Sequence, residues 1–358
     1  MSISCKKLTI TGIFGILLGC HASYAADLPV KAAKPVLDVP FFSVNDNRLS
    51  YSYVFQATDP GYFSIRPDGS INGKTEKQVL TLTHYDEWAY GTNFALIDVL
   101  KSGHNDPAAP CVNAGVLAGG VPSDCAGSTE VYGLFRSTFG LNQIFNTNAF
   151  SWGALRNVSL EVGGDFNSQN NFVAPAKRVG VVGAQFAFAL PYNGYLTVAP
   201  LYYKESNHNG FNACGFAPAG ACLVDGNTNY RGTWSVETNY AMDLGFLPES
   251  IRYFSISGRA TWRGKKGLEN APLTAGNGGG TPTAVELNSE PIRLTFDAGS
   301  AFWGKRYAHH VDLWVAYRYW RNKFGLDASR SLNCVLPGGQ SNHTCTESTV
   351  VSGLTVKF

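Results

Sequence analysis

Residues 310–321 set charged groups and large aromatics on one face of a short run. Asp312, Trp314, Arg318 and Trp320 alternate with Val311, Leu313, Val315, Tyr317 and Tyr319. Carboxylate and guanidinium groups form directional hydrogen bonds, and indole rings offer flat faces for stacking. Together they suit recognition of flat, amphipathic solutes rather than bond-making chemistry. The same mixture recurs along the chain. Phe94 with Asp98, Tyr132 with Arg136, and Glu161 with Asp165 each fall four residues apart. Glu237, Arg259, Arg263, Arg293 and Asp297 stand in later runs of the same kind. Covalent catalysis finds little support. Ser206-Asn207-His208-Asn209-Gly210 joins a hydroxyl to an imidazole, but the spacing is wrong for a nucleophile and its base, and an outer loop is expected there. His309-His310 reads as an interfacial pair. No metal, cofactor or nucleic-acid partner is expected.

Thiol chemistry is the other possibility. Cys5 and Cys20 lie near the N-terminus, and six cysteines fall as three local pairs: Cys111 with Cys125, Cys214 with Cys222, and Cys334 with Cys345. Nearness in sequence favours these pairings among those that six cysteines allow. Without Cys-x-x-Cys or a histidine cluster, zinc is improbable and loop disulfides in an oxidising compartment are expected.

What positions these residues is a two-residue period. At the C-terminus, Val350, Leu354, Val356 and Phe358 share one face, and Thr349, Thr355 and Lys357 share the other, which is the pattern of a half-buried strand. Twelve such runs separated by turn signals are read between Arg48 and Phe358, including residues 77–85, 91–101, 129–139, 155–167, 177–190, 230–244, 251–263, 291–300 and 310–321. If Ala95, Ile97 and Val99 face outward, Asn93, Phe94, Leu96 and Asp98 face inward. The expected fold is all-β: a closed antiparallel transmembrane β-barrel of about twelve strands, with long extracellular loops and short periplasmic turns. Fourteen strands remain open. With both ends periplasmic, all three cysteine pairs fall on the outer side.

Composition agrees. The chain of 358 residues is 44% hydrophobic and 15% charged, with 39 Gly, 17 Tyr, 22 Phe and a net charge of +2. Few charges with much Gly and aromatic content suit strands and turns. A mean hydropathy of −0.07 does not exclude a membrane protein, because alternation averages out. Lys6 and Lys7, an apolar stretch, and Ser23-Tyr24-Ala25 read as a signal peptide over residues 1–25; Leu17-Leu18-Gly19-Cys20 is a rival lipoprotein box. A lead-in over residues 26–47 and a barrel over 48–358 complete the expected organisation. The place is the bacterial outer membrane, among lipid, lipopolysaccharide and the barrel assembly machinery.

Residues 84–98 carry a further signal. Trp88, Tyr90, Gly91, Asn93, Phe94 and Asp98 resemble the motif of nucleoside-specific outer-membrane channels of the Tsx-like family. The resemblance implies a monomeric twelve-strand barrel with a narrow, nucleoside-selective bore, and it points to Phe94 and Asp98 as solute-binding residues. Three cysteine-bearing loops and a longer chain depart from that pattern. The alternatives are a general diffusion porin and, from another class, an outer-membrane barrel phospholipase.

Overall fold

The computed structural model describes residues 41–66, 68–108, 127–171, 174–212, 224–269 and 281–358. The signal segment, the lead-in up to residue 40, and the pairs Cys111–Cys125 and Cys214–Cys222 lie outside the described residues. Twelve long strands follow in order: β1 (Phe42–Ala57), β2 (Thr75–Trp88), β3 (Gly91–Ser102), β4 (Thr129–Gly140), β5 (Leu155–Gln169), β6 (Ala176–Leu190), β7 (Gly194–His208), β8 (Thr233–Asp243), β9 (Phe254–Arg263), β10 (Glu286–Asp297), β11 (Val311–Arg321) and β12 (Thr346–Lys357). Each pairs antiparallel with its sequence neighbours, and β12 pairs with β1, from Arg48 opposite Lys357 to Val54 opposite Val351. The sheet closes on itself, so no strand edge is left open.

The two faces of this wall are inverted relative to a soluble protein. Leu80, Leu82, Ile97, Leu160, Val182, Ile292, Leu313 and Leu354 are exposed on the outside, while Lys77, Asp165, Glu205, Arg263, Glu286 and Glu347 are buried within. Alternation forces this: in β11, Leu313, Val315 and Tyr317 face out, and Asp312, Trp314 and Trp320 are buried inside. An exposed apolar belt around a closed sheet is stable only against lipid. Aromatic rings rim the periplasmic end, where Trp88 meets Tyr90 and Phe139, Tyr192 meets Phe246, and Phe302 meets Phe296 and Trp303. Tyr202, Trp234 and Trp262 are exposed towards the other end. These are the two girdles that sit at the membrane interfaces. The chain is a closed twelve-stranded barrel of the outer-membrane type.

The connections differ by side. Outer connections cover residues 58–74, 103–128, 170–175, 209–232, 264–285 and 322–345; those on the other side cover 89–90, 141–154, 191–193, 244–253 and 298–310. The outer set is mostly the longer one. Cys334 and Cys345 form a disulfide within the last outer connection.

Three boundaries differ from the sequence pattern. β1 begins at Phe42, although the polar run Ser43–Asn47 gives no alternation; it pairs with β2 from Phe42 opposite Trp88. β8 begins at Thr233 rather than at residue 230. β10 runs from Glu286 to Asp297, not 291–300. Pro291 does not start this strand but falls at a register shift against both neighbours, where its missing N–H is tolerated. Asp297 ends it by accepting a hydrogen bond from the Ser300 N–H, so residues 298–303 turn into a short helix.

Candidate functional site

Alternation carries the predicted site residues to the bore. Phe94, Asp98, Tyr132, Arg136, Glu161, Asp165, Glu237, Arg259, Arg263, Arg293, Asp297, Asp312, Trp314, Arg318 and Trp320 all fall on the inward face of their strands. Asn93, expected beside Phe94 inside, instead shares the outer face with Ala95 and Ile97. There it donates to Asp86 at 2.8 Å and accepts from Ser137 at 2.6 Å. The strict period of two decides this, since neighbouring residues cannot share a face.

Most of the inward charges bond to one another. Arg136 on β4 crosses the bore to Glu237 on β8 through two hydrogen bonds of 2.7 and 3.0 Å, and bonds Asp165 on β5 at 2.7 Å. Arg263 on β9 pairs with Glu286 at 3.1 Å and approaches Asp165 at 3.7 Å, again across the bore. Planar guanidinium forks suit such bridging. Nearer the outer mouth Lys77 holds Asp59 at 2.8 Å and Glu130 at 3.3 Å, Lys266 holds Glu205 at 2.6 Å, and Lys323 holds Glu347 at 2.8 Å. Burial opposes ionisation of Asp59 in its loop, but Lys77 and Lys323 outweigh it and keep the carboxyl below its ordinary range. The Thr58 N–H donates to Glu347 on β12 at 3.0 Å and the Gly61 N–H to Thr344 Oγ1 at 3.0 Å, so the first and last outer loops touch.

These struts leave part of the bore unbridged. Arg259 faces inward and is exposed, as is its register partner Asn239 on β8. Exposure on the inward face means the bore holds water there. Arg259 makes no ion pair among the described residues. Asp98 accepts a hydrogen bond from Thr81 at 2.5 Å, has no salt-bridge partner within 4 Å among the described residues, and lies within electrostatic reach of Arg318 and Arg259. Arg293 stacks on Trp314 at 3.9 Å from the ring centroid and bonds Glu290 at 2.7 Å. Arg259 on β9 and Arg318 on β11 therefore confront Asp98 on β3, Arg318 being held by Glu347 at 3.1 Å, and Trp314 and Phe94 bring aromatic rings to the inward face. Nearer the periplasmic mouth, Tyr195 faces inward at 49% exposure.

The 84–98 motif divides under this geometry. Trp88 and Tyr90 belong to the periplasmic girdle. Gly91 is a packing requirement, because a Cβ there would lie 1.8 Å from the Thr138 carbonyl oxygen. Asn93 braces the outer face, and only Phe94 and Asp98 address the bore. Ser206 and His208 sit at the outer end of β7, where His208 Nδ1 meets Asn227 Oδ1 at 3.2 Å. Among the described residues Asp297, His309 and Asp312 gather ligand-type atoms within 4.8 Å. Their own hydrogen bonds explain the cluster: Asp297 accepts from the Ser300 and His309 N–H groups, and His309 Nδ1 bonds Asp312 at 3.2 Å. That bond, against the effect of burial, raises the His309 pKa above its ordinary 6.5.

One cavity went unforeseen. At the outer end, residues of β5, β6 and β7 and of four outer loops line a space that offers about 40 Å³ to the centres of water-sized molecules. Lys177 lines it. In sequence Lys177 opens a strand and reads as a rim charge, so only its burial distinguishes it.

No family model matches the chain, and no curated protein matches it. Solved structures do. The translocator domain of the autotransporter NalP from Neisseria meningitidis is 8% identical, with 88% of this chain and 89% of that one covered and a TM-score of 0.36. A TodX variant described as a monoaromatic hydrocarbon channel is 10% identical, covering 87% and 90%, with a TM-score of 0.34. OpdK from Pseudomonas aeruginosa, solved with vanillate, is 8% identical, covering 89% and 99%, with a TM-score of 0.28. Likeness at this level carries no argument about solutes, and the fold stands on the strand pairing itself. The nucleoside-channel resemblance rests on the sequence motif alone.

Proposed function

We propose that the chain is an outer-membrane channel for passive, substrate-selective uptake of nucleosides or similar small amphipathic solutes, working without covalent chemistry. The observation that carries this reading is the pair Asp98 and Arg259. Both face the bore, neither is held in an ion pair among the described residues, and Arg259 is open to water. The other bore charges that form struts are held in ion pairs with one another. Asp98 is suited to ribose hydroxyls, while Phe94 and the Arg293–Trp314 stack offer flat faces to a base. A channel site of this kind must bind weakly enough to release. Arg136, Asp165, Glu161 and Glu237 serve in this reading as a wall beside the path.

Planar-bilayer recording of the purified barrel tests the proposal. Adenosine is expected to reduce the open current, and ribose at equal concentration is not. Asp98→Asn is expected to weaken the block about tenfold, as for one hydrogen bond to a charged acceptor. Phe94→Ala is expected to weaken it similarly by loss of stacking. Equal effects of adenosine and ribose would indicate a general diffusion pore. Block that ignores both substitutions would move the site elsewhere.

A further inference from the structure

The outer cavity holds a charge that no described residue pairs with directly. Lys177 is only 6% exposed, yet its ammonium has no hydrogen-bond acceptor and no carboxylate within 4 Å among the described residues. It rests against the faces of Tyr132 and Phe324, at 5.6 and 6.0 Å from the ring centroids. Ring faces complement a cation but leave its three N–H donors unused. The other charged groups of the cavity are already engaged: Asp59 by Lys77 and Glu205 by Lys266. Two further lining groups are orphaned. Asn207 Oδ1 and Asn333 Nδ2 are buried and lack any hydrogen-bond partner. Asn207 stands directly opposite Lys177 in the β6–β7 register, and its amide nitrogen is spent on Glu205 at 3.3 Å. Its oxygen is therefore an acceptor in need of a donor.

Buried polar groups are rarely left unsatisfied, and an unpaired buried charge is costly. We infer that this cavity is a binding site for a small hydroxylated monocarboxylate, whose carboxylate meets Lys177 and whose hydroxyl serves Asn207. A single ammonium matches a single negative charge. Asn333 Nδ2 supplies a second donor for the carboxylate. The size agrees, because about 40 Å³ is room for roughly three waters at 10–15 Å³ each, the bulk of a two- or three-carbon acid and too little for a nucleoside. Neither Asp98 nor Arg259 lines this cavity, although Tyr132 under Lys177 is the register partner of Asp98, and the assignment stands whether or not the bore conducts nucleosides.

Thermal unfolding and calorimetric titration of the full chain in detergent test this, with glycolate, acetate and inorganic phosphate as probes. Glycolate is expected to bind and raise the Tm of the wild type. Acetate is expected to bind more weakly, and phosphate no better than acetate. Lys177→Gln is expected to lower glycolate affinity at least about tenfold, the loss of one charge-assisted contact. Asn207→Ala is expected to erase the preference for glycolate over acetate while acetate binding persists. Folding of each variant is read from heat-modifiable gel migration. Lys177→Met removes an unpaired charge and is expected to raise the ligand-free Tm, after which glycolate shifts it no further. Absence of glycolate binding by the folded wild type, or equal binding by folded Lys177→Gln, would overturn the assignment.

Discussion

Arg136 shows what single residues do in this bore. Its guanidinium bonds Glu237 across the barrel and Asp165 on the next strand, with Glu161 at 3.7 Å. Removing one partner of a buried ionic group leaves the others buried and uncompensated, at about 3–5 kcal/mol. Arg136→Ala is therefore expected to destabilise the barrel by about that amount in urea unfolding from detergent micelles. Arg136→Lys is expected to recover only part of the loss, because an ammonium cannot present the planar fork that spans both carboxylates. Residue by residue, the sequence was most legible where alternation was strict. Asp312, Trp314, Arg318 and Trp320 could be placed inside from their spacing alone. Which charges neutralise which could not be read, because Arg136 and Glu237 are far apart in sequence and meet only when the sheet closes. Lys177 was hidden for the same reason.

At the level of elements, the periplasmic turn between β10 and β11 is held by one titratable bond. His309 Nδ1 and Asp312 meet at 3.2 Å, while Asp297 caps the short helix and accepts the His309 N–H. The folded-state pKa of His309 lies above its ordinary 6.5. The imidazolium–carboxylate contact therefore contributes in full below about pH 6.5 and is lost as pH rises through the elevated value. His309→Gln is expected to flatten that part of the stability profile, measured as Tm against pH from 5 to 8 (a window set by the ordinary histidine range). A wild-type profile indistinguishable from that of the variant would remove this role. Elements also mark where sequence reading slipped. Pro291 opens the 291–300 run in the sequence, yet in the structure it lies inside β10, and Asp297 caps the helix that ends it. A bulge that accommodates a proline depends on both neighbouring strands, which no local pattern reports.

Across the whole molecule, the inverted wall predicts behaviour that needs no knowledge of the solute. The exposed belt of Leu80, Ile97, Val182 and Leu313 requires detergent or lipid. The closed hydrogen-bonded sheet is expected to resist dodecyl sulfate until heated, giving two positions on a gel for heated and unheated samples. A single position at all temperatures, with solubility in plain buffer, would contradict the membrane barrel. Strand number, the side of the Cys334–Cys345 loop and the inward face were legible at this scale, because a period of two and the parity of connections are global constraints. The bore itself is lopsided. Among the described residues the buried struts of Lys77, Lys266 and Lys323 and several loops crowd its outer half, while below them Arg259, Asn239 and Tyr195 stand open to water, with the partly exposed Asp46–Arg48 and Asp46–Lys357 pairs near the periplasmic end. An applied voltage falls mainly where resistance is greatest, and that is the crowded half. A molecule arriving from the periplasm would thus reach Arg259 almost without crossing the potential, whereas one from outside would feel most of it. If the barrel conducts as proposed, its current in a planar bilayer is expected to differ between equal voltages of opposite sign.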